Sequence, residues 1–557
     1  MINRDDSNPA GGDADDSPAP GRRADRATPR AIRMAQPLAR DVIEVLAVQN
    51  GVCIRPVPLR RIDTLTGANT VLNVPCGTTM EAKCPSCAKR NRQLRMAQCR
   101  EGWHLDHEPV NTPDEPDDYQ RYLVELRADA QAWRDQAEGA GTDTADLDAA
   151  IADLDAEIND AGMRGNVLGR PSPKRSRSTR RRQDAPDLPK RKMTPSTLGR
   201  TFTSSNGRTF RPSMFVTLTL PSYGRVNAGV PVDPSTYDYA RAARDALHFS
   251  KLVDRFVQNL RRVAGFDVQY FAAVEPQKRL APHLHMAIRG HMPRAEIRQI
   301  VAATYHQVWW PPTDVIRFEG DRLPVWSDEA GYLDPETGEV LPTWDEALDQ
   351  LGQDNDAEPL HVVRFGDQVD VQGVLAGTTD ADTCIQYLSK YLTKSIGDAL
   401  DPDNLAQRAH AERFANALRF EPCSPTCPNW LRYGVQPKQA KAGMAPGRCK
   451  GKAHKPDHLG YAGRRVLVSR KWSNKTLTEH KHDRRTWVLE ALGLPDEPTD
   501  PHRYTWRPVK PGDPDLEPIG VRLLRDIAER QRWRNHMNQL QAEADGQDFS
   551  ATEGRAA

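Results

Sequence analysis

Residues 270–289 read Tyr270-Phe-Ala-Ala-Val-Glu275-Pro-Gln-Lys-Arg-Leu-Ala-Pro282-His283-Leu-His285-Met-Ala-Ile-Arg289, and this stretch decides the fold. In a strand, successive side chains alternate faces. His283 and His285 then share one side, while Leu284, Met286 and Ile288 share the other, where a sheet buries its apolar residues. Tyr270 to Glu275 reads as a second strand, and Pro276 to Pro282 is short enough to turn the chain back alongside it. Glu275 is thereby expected beside both histidines. Two imidazoles and a carboxylate suit magnesium or manganese with positions left open for phosphate oxygens, better than they suit a closed structural zinc site. An H-x-H pair hydrogen-bonded at a sheet edge, with no metal, fits the same spacing.

About a hundred residues later comes Tyr387-Leu-Ser-Lys390-Tyr391-Leu-Thr-Lys394. Asp380 to Ile396 contains no Gly or Pro, and Ile385, Leu388, Leu392 and Ile396 recur at helical spacing, which predicts an amphipathic helix over 380–396. Tyr387 and Tyr391 would be i, i+4 neighbours on it, as would Lys390 and Lys394. A phenol of pKa ~10 is a poor nucleophile at neutral pH. A lysine three residues after each tyrosine supplies a cation for the developing charge. Two tyrosines packed on a core helix beside solvated lysines is the structural alternative.

With the apolar stretch Met214-Phe-Val-Thr-Leu-Thr-Leu220 before them, these motifs resemble the three ordered motifs of HUH endonucleases, in particular rolling-circle replication initiators. The paired tyrosines resemble those of two-tyrosine initiators of certain single-stranded DNA phages. The segment from Cys76 through Cys84-Pro-Ser-Cys87 to Gly102-Trp-His-Leu is similar to replication initiators of actinobacterial plasmids and integrative elements. The resemblance covers about residues 45 to 480. It implies a metal-dependent strand transferase in which Tyr387 or Tyr391 attacks a phosphodiester at an origin, single-stranded or in a hairpin, and leaves a 5′-phosphotyrosine link and a free 3′-hydroxyl. His283, His285 and Glu275 would hold the catalytic Mg2+ or Mn2+. A relaxase or single-strand transposase with the same chemistry is the nearest alternative. A zinc-finger DNA-binding regulator without enzymatic activity is the alternative of a different class.

The cysteines point to zinc rather than disulfides. Cys76, Cys84, Cys87 and Cys99 offer a four-thiolate site around a C-x2-C knuckle, with His104 or His107 able to replace one thiolate. Cys423, Cys427 and Cys449 offer a second, completed by His454 or His458. Arg90, Arg92 and Arg95 lie between ligands of the first group, and Arg464, Arg465, Arg470 and Lys471 follow the second with aromatic residues interleaved. Cations for phosphates and aromatic faces for bases suit a nucleic-acid surface, and a solvated charged face over packed aromatics is the structural alternative.

At 557 residues, with 38% hydrophobic composition and a mean hydropathy of −0.69, the chain is too polar to be one globule. The formal net charge of +1 conceals opposed blocks. Residues 111–163 carry 15 Asp and Glu against 3 Arg, a net −12, whereas 164–192 carry 11 Lys and Arg against 2 Asp, a net +9. No apolar run approaches the ~18 residues of a membrane span, and Met1-Ile-Asn-Arg-Asp-Asp lacks the core of a signal peptide. A cytoplasmic protein without membrane contact is expected.

The expected class is α+β. A central antiparallel sheet domain occupies 205–400, with an insert at 309–358 and a further strand at His361–Phe365. Before it come a disordered tail (1–34), a zinc module (35–110), an acidic helical segment, a hairpin or short coiled coil (111–163), and a flexible basic linker (164–204). After it come a second zinc module (401–475), a helical region (476–542) and a disordered tail (543–557). The helical region is a candidate contact for a host helicase or DNA polymerase. The oligomeric state is not legible.

Overall fold

The computed structural model describes residues 37–109, 115–161, 187–207, 209–392, 403–494 and 503–553, together with 163 and 185. The expected N-terminal tail, most of the basic linker, and Lys394 lie outside them. The chain is mixed α and β and divides into two compact units. One comprises Met1–Ala97, Leu392–Ser395 and Leu477–Ala557, the other Gln98–Tyr391 and Ile396–Thr476.

The larger unit is built on strands β1 (Pro212–Leu218), β2 (Tyr270–Pro276), β3 (Pro282–Arg289), β4 (Val369–Leu375) and β5 (Val466–Val468), ordered β4-β1-β3-β2-β5. Every neighbouring pair is antiparallel. Register places His285 opposite Thr217 on β1 and Ala273 on β2, and His283 opposite Glu275. Met214, Val216, Leu218, Ala272, Val274, Leu284, Met286 and Ile288 alternate onto one face and form the core. Helix α1 (Tyr239–Ala264) covers that face with Leu252, Val253, Phe256, Leu260 and Val263, all buried at helical spacing. Asp238 caps its start by accepting the Arg241 N–H, and Gly265 in the left-handed region (φ 73°) ends it. Truncating Phe256 to Ala would cost ~3–5 kcal/mol through the cavity left behind. The opposite face carries Phe215, Thr217, Glu275, His283 and His285.

Two expectations for the sheet are corrected. His361–Arg364 pairs with Tyr305–Val308 in a separate two-stranded ribbon, because His361 is held by its imidazole Nε2 against Asp245 of α1, 2.7 Å away. The place beside β1 is taken by β4, an edge strand whose alternation is interrupted at Gly373. In addition, the segment 401–475 is not a separate module, since its Val466–Val468 pairs with β2 as β5.

The insert is structured. A hairpin of Val325–Ser327 and Gly331–Leu333 is followed by the helix Trp344–Gln353, started by a capping box between Thr343 and Glu346. Trp310 and Trp344 pack on Trp430, centroids 5.7 and 4.9 Å apart, beside Cys427. The acidic segment forms an antiparallel pair of helices, Asp118–Gly139 and Ala145–Asp160, tied by Arg127 to Asp155 at 2.8 Å. The end of the expected linker is docked rather than free: Leu188 and Leu198 are buried, and Arg191 makes a two-pronged pair with Glu296.

In the smaller unit, strand Val57–Asp63 lies between Asn69–Val74 and Tyr504–Pro508. Leu523 and Ile527 of helix Ile519–Glu553 pack on Ile43, Ala47 and Val52. The C-terminal region therefore completes the core of the N-terminal module and is not an independent appendage. Its last helix continues through Glu543, where a polar tail was expected; the stretch has no Pro and is rich in helix-forming Ala, Glu and Gln. No described helix is long and apolar enough to cross a membrane.

Candidate functional site

The strand register brings Glu275, His283 and His285 together with their ligand atoms within 4.8 Å of one another. Glu275 Oε2 lies 2.9 Å from His285 Nε2, and Thr217 Oγ1 lies 3.3 Å from its Nδ1. The Gln277 amide sits 3.0 Å from His283 Nδ1, while His283 Nε2 is buried without a hydrogen-bond partner. Burial, then the neighbouring His285 and Arg279, push the His283 pKa down to about 3. The imidazole is therefore neutral at pH 7, the form a metal ligand needs. A buried orphan nitrogen beside a carboxylate and a second imidazole fits a divalent cation.

Helix α2 (Thr379–Ser389) carries the tyrosines to this face but is shorter than the expected 380–396. Its end tightens: the Lys390 N–H donates to Tyr387 O and the Tyr391 N–H to Leu388 O, both three residues back. Tyr391 thus lies just past the helix, yet its ring stays 5.3 Å from that of Tyr387. Both meet His285. Tyr391 stacks on it at 4.8 Å, and Tyr387 contacts it edge-on at 5.1 Å and Phe215 at 6.0 Å. Tyr387 is 36% exposed and Tyr391 8%. Burial, and then hydrogen bonding to Tyr387 and the charge of Glu275, raise the Tyr391 phenol above its ordinary value. Lys390 Nζ lies 5.4 Å from the Tyr387 ring centroid.

Residues outside the histidine and tyrosine motifs position α2. Gly377, just before it, donates its N–H to His104 Nδ1 at 2.8 Å, and Arg100 pairs with Asp382 at 3.0 Å. Trp103, fully buried, donates to Ser213 Oγ on β1 at 2.7 Å. Arg465 reaches across to donate to Tyr391 O at 2.7 Å. Basic character marked Arg465 in the sequence, but only its position next to β5 brings it to the tyrosines. Arg464 and Arg470 are exposed, whereas Lys471 is paired with Asp267 at 3.0 Å. Thr217 and Gln277 carried no sequence signal beyond flanking the histidine strand.

Two cysteine groups could hold a metal such as zinc. The first is Cys53, Cys76, Cys84 and Cys87, which corrects the expected fourth ligand. Cys87 and Cys99 both lie on the helix Pro85–His104. Twelve residues of helix separate them by ~18 Å, so one ion cannot bind both. Cys99 is buried, which pushes its thiol well up and keeps it protonated. His104 and His107 are engaged with Gly377 and Asp106. The second group is Cys423, Cys427, Cys449 and His454. His454 Nε2 is 3.8 Å from Cys427 Sγ, and Cys423 and Cys449 are 3.9 Å apart. His458 is outside this group; the turn between the short helices Lys452–His454 and Pro456–His458 carries it away.

Compared with known proteins, residues 39–529 match the RepSA family, described as "Replication initiator protein, pSAM2". A replication initiator protein of Streptomyces ambofaciens is 26% identical over 267 residues, covering 39% of this chain and 52% of the relative. The chain spans about half the length of the curated relative it matches. No solved structure matches.

Proposed function

The chain belongs to the RepSA family of replication initiator proteins, and from that premise we propose that it initiates rolling-circle replication by cutting and rejoining one DNA strand at its element's origin. The observation that carries this reading is the convergence of both tyrosines on the imidazole of His285, itself bonded to Glu275. A regulator that only binds DNA has no use for two phenols packed against a candidate metal triad.

Glu275, His283 and His285 would hold a hard divalent cation, Mg2+ or Mn2+, which when bound supplies Lewis-acid polarisation of the scissile phosphate. Tyr387 Oη attacks phosphorus. The P–O bond to the tyrosine forms, the P–O3′ bond breaks, the phenol gives up its proton and the departing 3′-oxygen gains one. Lys390, beside the Tyr387 ring, stabilises the phenolate as charge develops. Arg465 holds Tyr391 at its backbone carbonyl, and the charge of Glu275 disfavours its phenolate, while the first link exists. Tyr391 then repeats the attack when the displaced strand is cut and closed. The two cysteine groups bind structural zinc in this reading. The released 3′-hydroxyl serves a host polymerase.

The test incubates the full chain with manganese and single-stranded DNA carrying candidate origin hairpins, and reads covalent protein–DNA adduct on a denaturing gel. The reading expects an adduct that the Tyr387→Phe/Tyr391→Phe double variant cannot form. Origin DNA that is bound but never yields a tyrosine-dependent adduct, with either metal, overturns it.

A further inference from the structure

The smaller unit holds a cavity of about 460 Å³ with an unusual charge balance. Lys89, Arg90 and Arg92 line it from the helix beginning at Pro85, and Arg530 and Arg534 from the last helix; Glu81 is its one acidic residue. Lys89, Arg90, Arg530 and Arg534 are exposed and, among the described residues, make no ion pair. Neutral groups orient them instead. Arg90 Nη2 donates to Gly51 O at 3.0 Å, and Arg534 donates to Asn50 O at 3.1 Å and Asn50 Oδ1 at 3.3 Å. These acceptors follow the helix Pro37–Gln49, so a helix end fixes the guanidiniums without neutralising them.

Two further observations indicate an anion. The cavity includes Pro85 and Ser86 at the start of the 20-residue helix Pro85–His104, where the Ser86 N–H has no helical acceptor. Ser86 in that turn is 6% exposed, and its Oγ is buried without a hydrogen-bond partner. Desolvation, then the charges of Arg90 and Arg534, lower the Arg530 guanidinium, as expected where cations crowd together.

We propose that this cavity is a phosphate-binding site that grips the DNA backbone, a second DNA contact separate from the tyrosine site. The ligand chemistry is a phosphate oxyanion. The backbone is favoured over a free nucleotide because no aromatic residue lines the cavity to stack a base. The assignment to DNA rests on the replication-initiator reading, but needs none of its cleavage chemistry.

The test uses the full chain with zinc supplied and a fluorescein-labelled duplex carrying the origin, with affinity read by anisotropy across a salt titration. The Arg530→Gln/Arg534→Gln double variant is expected to bind about tenfold more weakly, with the slope of log K against log salt shallower by roughly one to two units, at ~0.9 per lost phosphate contact. Lys89→Gln should move both in the same direction. Arg525→Gln, on the same helix but paired with Glu517, should move neither. Unchanged affinity and slope in both pocket variants overturns the site. If affinity is unchanged while inorganic phosphate or a nucleoside triphosphate raises the Tm of wild type and not of the double variant, the pocket takes a small phosphate ligand, and the backbone assignment is overturned. Adduct formation separates this from the cleavage reading. The pocket variant should still form the tyrosine adduct at saturating protein, and a wild type that forms none would leave the loss of binding intact.

Discussion

Tyr391 lies flat against the imidazole of His285, centroids 4.8 Å apart and planes 10° from parallel. A ring clamped in this way, 8% exposed and with its phenol pushed up by burial, is poorly placed to receive an incoming strand. Tyr387 meets the same imidazole edge-on and keeps 36% of its surface open. The first attack should therefore belong to Tyr387. Tyr387→Phe is expected to lower adduct yield on an origin hairpin at least ~100-fold, in line with the loss of a catalytic group. Tyr391→Phe should keep most of the first adduct and lose the joined product. Denaturing gels that follow adduct and joined circle separately decide this, and the opposite pattern would reverse the order of attack.

Glu275 is the carboxylate of the triad, and its Oε2 also bonds to His285. Glu275→Gln retains shape and hydrogen-bonding capacity but removes the charge that a hard cation needs. The manganese concentration for half-maximal adduct should rise ~10–100-fold, as for comparable losses around metal ligands. Circular dichroism should be unchanged, since Glu275 is only half-buried. A manganese midpoint equal to wild type would remove Glu275 from the metal site.

The cysteine groups yield a discriminating pair of variants. Cys53→Ser should lower bound zinc by one per chain, measured by elemental analysis, and reduce Tm, because metal binding is folding energy for a small module. Cys99→Ser should leave the zinc content intact. Its cost is that of a hydroxyl placed in an apolar, buried position, roughly 1–3 kcal/mol. Loss of zinc in the Cys99 variant and not in the Cys53 variant would restore the ligand set expected from spacing.

What could be read from the sequence follows the range of each interaction. Strand alternation gave the faces of 270–289, and periodicity gave α2 and the acidic hairpin, because those patterns are local. The partner of β1 at the sheet edge is not legible. His361-Val-Val-Arg looks more strand-like than Val369–Leu375, and nothing local shows that Asp245 holds His361 elsewhere. Cys53 shows no partner in the sequence for a related reason: spacing favours the nearest cysteines, while the helix starting at Pro85 rules out Cys99 by rise per residue. The shared core of Ile43 and Leu523 joins residues from opposite ends of the chain, which no window of sequence can display.

Glu108 gives the clearest pH signature. Its carboxylate accepts bonds from Ser196 Oγ, from the Thr197 N–H and hydroxyl, and from the Leu198 N–H, at 2.7–3.0 Å. Against a desolvation penalty, these bonds hold its pKa down to about 2. The unfolded value is ~4.3. Because the folded pKa is the lower, the stabilisation is complete above ~4.3 and is lost as the pH falls toward about 2. Glu108 is exposed, so solvent screening reduces its contribution to about 1 kcal/mol. Glu108→Gln should therefore lower Tm by a few degrees at pH 7, and the gap to wild type should close as pH falls below ~4.3. Thermal melts of both proteins from neutral to acid pH check this. A gap that persists unchanged to the lowest pH at which both proteins fold would mean that the carboxylate's charge is not what anchors the 196–198 segment.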